Sequence, residues 1–190
     1  MKKSLFVAVL AFPLVLWTMF AGATTQDQPL DQKSIDRITR EVRHELVMLP
    51  YYGVFDNLAY KVDPDGTVTL VGQLSPVNGP RLKSDAESNV KRIEGVTRVV
   101  NNLEVLPLSP NDDRIRRAVY RAIYGNSALS QYQLRAVPPI HIIVKNGHVT
   151  LEGAVSRTMD KQIAGIKANG VSGVFSVDNN LRVDEEDKKK

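Results

Sequence analysis

The sequence predicts an α+β protein made of two tandem αββαβ modules, each a three-stranded mixed sheet covered on one face by two helices. Two observations predict this fold. Apolar residues follow helical or alternating spacing in successive segments, and three sequence blocks recur in the same order in both halves of the chain. The paired blocks begin at Asp36 and Asp113, at Gly66 and Gly147, and at Gly95 and Gly173. Their offsets of 77, 81 and 78 residues indicate duplication of one module.

The first half begins with a helix and a β-hairpin. Apolar residues recur at helical spacing over residues 35–49, and Pro50 ends that helix. Residues 58–62 and 68–70 alternate between apolar and polar side chains, as the strands of a half-buried sheet do. The turn composition of residues 63–66 joins these two strands into a hairpin.

A second helix and a final strand complete each module. The helices are predicted over residues 81–93 and 160–168, and the strands over residues 96–105 and 174–183. The hairpin of the second half turns at Asn146-Gly147, because both residues accept a positive φ. Its strands are predicted over residues 140–145 and 149–154. Two amphipathic helices cover one apolar face of a three-stranded sheet in each module.

The N-terminus has the composition of an export signal. Basic residues precede an uncharged apolar run over residues 5–20, and Ala21–Ala23 offers a cleavage site. The run is shorter than the roughly 20 residues that a membrane-spanning helix prefers. We therefore expect a signal peptide over residues 1–23, cleavage after Ala23 and a periplasmic protein; retention of the segment as an anchor is the alternative.

Charge and cysteine content exclude several classes of protein. The chain has 25 basic and 21 acidic residues, and loss of residues 1–23 would leave a net charge of about +2. That balance does not favour nucleic-acid binding, which is typical of strongly basic domains. The chain has no cysteine, which excludes disulfides and a lipid-modified cysteine at the signal junction.

The repeat sets the predicted domain boundaries. The first module spans residues 32–106 and the second spans residues 112–184. Residues 107–111 form a short linker, in which Pro107 and Pro110 favour a semi-rigid spacer. The charged tail over residues 185–190 is predicted to be disordered.

The repeated motifs resemble the BON domain family. The pattern Gly-x-Val-x-Leu-x-Gly, a helix, and then Gly-Val-x-x-Val-x-Asn-x-Leu-x-Val stands at residues 66–72 with 95–105 and at residues 147–153 with 173–183. The resemblance implies the αββαβ fold and a periplasmic or outer-membrane location. It also implies envelope maintenance or stress response without catalysis, with anionic phospholipid or other outer-membrane components as partners.

The recurrent glycines are predicted to be structural, at turns and at close approaches of the backbone. They are Gly66, Gly72, Gly95, Gly147, Gly153 and Gly173. No nucleophile elbow, phosphate loop or zinc spacing occurs, so we expect neither an enzyme nor a metal nor a cofactor. His141 in a predicted strand and His148 after the hairpin glycine are expected to face solvent.

The candidate binding residues lie on the first helix of the second module. Arginine forms bidentate hydrogen bonds with phosphate, and tyrosine suits the boundary of a headgroup layer. The spacing of these residues places Arg114, Arg117, Arg121 and Tyr124 along one face, with Tyr120 on the neighbouring face. We expect Arg117 and Arg121 on lipid phosphates, with Tyr120 or Tyr124 at the interface.

Two alternatives remain open at this stage. The arginines could form an ordinary solvated helix face, paired with Asp112, Asp113 or the acidic tail. The protein could instead be a periplasmic chaperone or adaptor without lipid binding. It would then contact client or envelope proteins through sheet faces and through the aromatic loops over residues 49–55 and 126–139.

Overall fold

The computed structural model describes residues 30–184. The predicted signal peptide over residues 1–23, its cleavage site and the tail over residues 185–190 lie outside the described residues. No helix among residues 30–184 has the length and apolar character needed to cross a bilayer.

The first module has the predicted order of elements. A helix, a hairpin, a helix and a strand follow one another as α1 (Gln32–Val47), β1 (Ala59–Val62), β2 (Thr67–Leu74), α2 (Gly79–Val90) and β3 (Arg98–Val105). Strand β2 is central, antiparallel to β1 and parallel to β3, so the sheet is mixed. Asp31 caps α1 by accepting a hydrogen bond from the backbone N–H of Ser34 at 2.9 Å.

The second module repeats this order. Its elements are α3 (Pro110–Tyr124), β4 (Ile140–Lys145), β5 (His148–Val155), α4 (Thr158–Asn169), β6 (Ser176–Asn179) and β7 (Arg182–Val183), with a short 3₁₀ turn over Ser130–Leu134. Strand β5 is antiparallel to β4 and parallel to both β6 and β7. The α+β prediction with two repeated modules is confirmed.

Each module has its own apolar core between helices and sheet. In the first, Ile38 and Val42 of α1 and Leu82 of α2 pack with Leu70 of β2. In the second, Ile115 and Val119 of α3 occupy the corresponding place against the other sheet. Buried apolar area of this kind stabilises a module by roughly 25 cal/mol per Å² removed from water.

The last strand differs between the modules, although one asparagine has the same role in both. The Asn101 Nδ2 group donates to the Lys83 carbonyl at 2.9 Å, and Asn179 Nδ2 donates to the Lys161 carbonyl at 2.7 Å. Each side chain therefore ties the last strand to the preceding helix. In the second module the ladder is interrupted after Asn179, which divides the single predicted strand into β6 and β7.

The repeated glycines have positive φ in both modules, and Gly72 and Gly153 show why. Their φ angles are 133° and 115°. A Cβ atom would lie 2.1 Å from the Asn57 carbonyl oxygen at Gly72, and 1.9 Å from the Pro139 carbonyl oxygen at Gly153. Only glycine allows the segment that leads into the first strand of each hairpin to approach so closely.

Helix α3 begins at Pro110, inside the span predicted as a linker. The Ser109 hydroxyl accepts a hydrogen bond from the Asp112 backbone N–H at 3.2 Å and caps the helix. Proline is favoured at the first helical position because its missing N–H would have no helical partner there. Pro110 and Asn111 therefore belong to the helix, and the connection between modules is shorter than predicted.

Candidate functional site

A loop of the first module reaches the second module. Its shape depends on the buried carboxylate of Asp56, which accepts hydrogen bonds from the Ser75 N–H at 2.7 Å and the Gly53 N–H at 3.1 Å. Because one buried carboxylate accepts both hydrogen bonds, it holds the loop over residues 53–56 against the end of β2. Val54 and Phe55 lie in this fixed segment, and both pack against the core of the second module.

The loop docks on the outer edge of β4. The Val54 carbonyl accepts a hydrogen bond from the Ile142 N–H at 2.8 Å, so the loop pairs with a strand edge that would otherwise be open. Tyr124 covers the same edge, because its hydroxyl donates to the Ile140 carbonyl at 2.7 Å. The two modules are therefore joined at this edge by a backbone hydrogen bond.

A second set of contacts crosses the joint on the face of β4 that carries His141. The His141 and Tyr52 rings stack with centroids 5.5 Å apart. Lys145, on the same face of β4, forms an ion pair of 2.6 Å with Glu104 of the first module. Both members of that pair are about half exposed, so it contributes little stability on its own.

The joint and helix α3 form a cavity of about 440 Å³ that is open to solvent on one side. This volume lies within the range of roughly 300–1,000 Å³ found for small-molecule sites. Its walls are apolar or aromatic apart from two guanidinium groups. The lining residues are Val54, Phe55, Arg117, Tyr120, Arg121 and Pro138.

Three of the five predicted binding residues meet at this cavity. Arg117 and Arg121 are exposed, one helical turn apart, and Tyr120 lies between them in sequence. Tyr120 is partly buried, with its ring in edge contact with Phe55 at a centroid distance of 6.1 Å. Within residues 30–184, neither arginine forms an ion pair or side-chain hydrogen bond. Both guanidinium groups are therefore available to an anion.

Arg114 does not line the cavity. Its guanidinium donates to the Ser172 carbonyl at 3.2 Å and to Asn111 Oδ1 at 3.0 Å. Arg37, the equivalent residue of the first module, donates to the Glu94 carbonyl at 3.0 Å. The duplication therefore repeats an arginine that holds the loop before the last strand, which is a structural contact.

The prediction that Tyr124 lies at a lipid interface is wrong. The side chain is buried, with a relative exposure of 2%, and its hydroxyl also accepts a hydrogen bond from the Ile140 N–H at 3.2 Å. Burial raises the pKa of this hydroxyl far above its ordinary value. The residue is four positions from Tyr120 but on the core side of the helix, where it closes the edge of β4.

The solvent-facing prediction for His141 is also wrong: the residue is partly buried, because Tyr52 of the loop over residues 51–57 lies against it. Its Nε2 atom lies 3.4 Å from the Tyr52 hydroxyl, and burial lowers the pKa of the imidazole. Burial, with a smaller contribution from the charge of Asp56, raises the pKa of Tyr52 to about 12. His148, by contrast, is exposed and contacts Ser176 Oγ at 2.7 Å.

Sequence reasoning missed the contribution of the first module to the cavity. Val54 and Phe55 lie in a segment recognised only as an unusually long aromatic loop, and Pro138 lies in the matching loop of the second module. The clustering of aromatic residues before the first hairpin was the available signal. No sequence pattern indicated that the loop crosses to the other module.

Comparison with known proteins identifies the repeated unit. The family model described as "BON domain" matches residues 34–107 and again residues 111–185. No curated protein matches the chain.

Two solved structures of CdsD, a structural protein of the type III secretion system of Chlamydia trachomatis, are similar in part. The one of its C-terminal domain is 12% identical, covering 76% of this chain and 96% of that one, with a TM-score of 0.28. The other is 14% identical, covering 77% and 92%, with a TM-score of 0.27.

Proposed function

Because this chain belongs to the BON domain family, which it represents with two tandem domains, we propose that it is an exported envelope-maintenance protein that attaches reversibly to anionic phospholipid surfaces. The attachment surface is the exposed side of α3 around Arg117 and Arg121. The BON domain is a non-catalytic binding domain, which supports a binding role in place of an enzymatic one.

The observation that supports this proposal is the pair of unpartnered arginines beside Tyr120. The sequence offered Asp112 and Asp113 as neutralising partners, but both are engaged elsewhere. Asp112 accepts hydrogen bonds from the N–H groups of Asn146 and Gly147 at 2.9 Å each, and Asp113 pairs with Arg116. The charge of the two exposed arginines is therefore not cancelled by these neighbours.

The expected attachment is weak and sensitive to salt. A basic side chain near an anionic membrane contributes about 1 kcal/mol, so two arginines supply about 2 kcal/mol, with Tyr120 adding apolar contact. The Debye length falls from about 8 Å at physiological ionic strength to about 3 Å at 1 M, so salt weakens the attraction.

Co-sedimentation with vesicles tests the proposal. The full chain should sediment with vesicles that contain phosphatidylglycerol and not with vesicles of phosphatidylcholine alone. The double variant Arg117→Glu/Arg121→Glu should lose at least about thirtyfold in affinity, from the two attractions removed. Added salt at about 0.5 M should release the natural protein, because it shortens the Debye length.

The matched control is Lys167→Glu/Arg182→Glu. Both residues are exposed in the second module and form no ion pair within residues 30–184, and the net charge changes by the same amount. This variant should still sediment with phosphatidylglycerol vesicles. Equal binding of the natural protein and the Arg117→Glu/Arg121→Glu variant would overturn the proposal.

The second candidate function is client binding by a chaperone or adaptor. The aromatic loops offer fewer exposed apolar side chains for this role than the sequence suggested. Tyr52 and Phe55 pack against the second module, and Tyr132 is buried in its core. Leu134, with 88% relative exposure, and Tyr51, with 58%, are the large apolar side chains of these loops that remain exposed. Client binding would persist at high salt, so suppression of aggregation of a denatured client under that condition would favour this candidate.

A further inference from the structure

The cavity between the modules is more than a flat attachment surface. It is bounded by Val54 and Phe55 from the first module and by Tyr120 and Pro138 from the second. Its apolar interior adjoins the guanidinium groups of Arg117 and Arg121. An apolar pocket with two cations at one side complements a molecule with an apolar tail and an anionic head.

We infer that this cavity binds a single anionic phospholipid molecule, with one acyl chain between the modules and the phosphate on Arg117 and Arg121. The inference rests on the proposed function and makes it more specific. A protein that only adsorbs to charge needs one module, whereas this site needs both. The loop of the first module supplies one wall, and its bond to Ile142 holds that wall in place.

The tryptophan content of the chain makes the inference measurable. The single tryptophan, Trp17, lies in the predicted signal segment. In a Trp17→Phe background, Phe55→Trp places the only indole in the wall of the cavity. Phe55 is partly buried and touches Tyr120 by its ring edge, a contact that an indole preserves.

The probe is a monomeric lysophosphatidylglycerol with bromine atoms on its acyl chain, used below its critical micelle concentration. Bromine quenches an indole only at short range, so quenching in the Phe55→Trp protein would report a chain inside the cavity. The control is Val77→Trp in the same background, because Val77 is 76% exposed in the first module and does not line the cavity. We expect saturable quenching for Phe55→Trp and none for Val77→Trp.

A cavity-filling variant provides the second measurement. Val54→Leu narrows the cavity while keeping the backbone carbonyl that pairs with Ile142. We expect it to weaken lysophosphatidylglycerol binding at least tenfold in a calorimetric titration, while the fluorescence-detected unfolding midpoint stays near that of the natural chain. Glycerophosphoglycerol, which has the headgroup without a chain, should bind at least tenfold more weakly than the lysolipid.

The outcomes separate this inference from the proposed function. If Arg117→Glu/Arg121→Glu abolishes vesicle sedimentation but the brominated lysolipid fails to quench the indole of Phe55→Trp, the protein adsorbs to membranes and the inference is wrong. Equal quenching of the Phe55→Trp and Val77→Trp proteins would also overturn it. If vesicle sedimentation is unaffected by the double variant, the proposed function fails, whatever the cavity binds.

Discussion

His141 of the second domain stacks on Tyr52 of the first, with the ring planes 23° apart and Nε2 3.4 Å from the tyrosine hydroxyl. The Nδ1 atom is buried and has no hydrogen-bond partner within residues 30–184. Burial lowers the pKa of His141 below its ordinary 6.5, although the backbones of Gly53 and Asp56 and the carboxylates of Asp56 and Glu152 act in the opposite direction. The environment of His141 at the joint therefore favours the neutral form of the imidazole.

Acidification is expected to destabilise this joint. Because the pKa of His141 is lower in the folded protein than in the unfolded chain, the unfolded chain binds more protons as the pH falls below 6.5. The stability associated with this residue is complete above that pH and decreases as the pH falls toward the folded pKa. The loss amounts to about 1.4 kcal/mol for each pH unit that separates the folded pKa from the unfolded one. Urea unfolding at about pH 7.5 and about pH 5.5, on either side of the ordinary histidine pKa, measures it.

The variant His141→Phe isolates this contribution, because phenylalanine keeps a ring against Tyr52 and cannot be protonated. Its free energy of unfolding should change less between these two pH values than that of the natural protein. His148→Phe is the control for replacing an exposed imidazole by phenylalanine in the same domain. Equal pH dependence of His141→Phe and the natural chain would contradict the expectation.

The fold was predictable because the same module is encoded twice in the sequence, so that each half supports the interpretation of the other. The pairs Gly72 with Gly153 and Asn101 with Asn179 occupy equivalent places, and each pair satisfies the same backbone requirement. A pattern that recurs for a geometric reason can be recognised without knowing the geometry. Local periodicity then supplied the order of helices and strands.

The candidate site was only partly predictable, because helical spacing does not say how far the core extends around a helix. Helix α3 carries two tyrosines and several arginines that the sequence alone does not distinguish. Tyr124 and Arg116 are buried and form hydrogen bonds with the backbone of β4, whereas Tyr120 and Arg117 line the cavity. Their burial depends on where the outer edge of β4 lies, which is a tertiary relationship. The partial burial of His141 likewise depends on contact with Tyr52, which lies 89 residues earlier in the sequence.

Gly153→Ala is expected to destabilise the second domain strongly. The residue has a φ of 115°, and a Cβ atom would lie 1.9 Å from the Pro139 carbonyl oxygen. Both the backbone strain, about 1–3 kcal/mol, and the clash with a carbonyl act against the folded state. Urea unfolding measures the change. Gly170→Ala is the control, because its φ is −77° and its nearest neighbour would be at 3.5 Å; a similar loss in both variants would contradict the explanation.

Tyr132→Phe is expected to lower the free energy of unfolding by about 1–3 kcal/mol. The Tyr132 hydroxyl donates to the buried Asp160 carboxylate at 2.6 Å and accepts from the Ser156 N–H at 2.9 Å. Removal leaves a buried carboxylate with one bond fewer and an N–H without its acceptor. Tyr51→Phe, at a ring that is 58% exposed, should change the unfolding midpoint little. Equal midpoints for Tyr132→Phe and the natural chain would show that the hydrogen-bond bridge is unimportant.

Arg114 and Arg117 should give opposite results when each is changed to alanine. Arg114→Ala removes the bonds to Ser172 and Asn111, so it should lower stability by about 0.5–1.5 kcal/mol and leave vesicle affinity within about twofold. Arg117→Ala removes an unpaired surface charge, so it should leave stability unchanged and weaken vesicle binding about fivefold, which corresponds to about 1 kcal/mol. Unfolding and sedimentation at physiological salt measure both. If Arg114→Ala weakened vesicle binding as much as Arg117→Ala, the surface would extend to the start of α3, and the structural role assigned to the duplicated arginine would be incomplete.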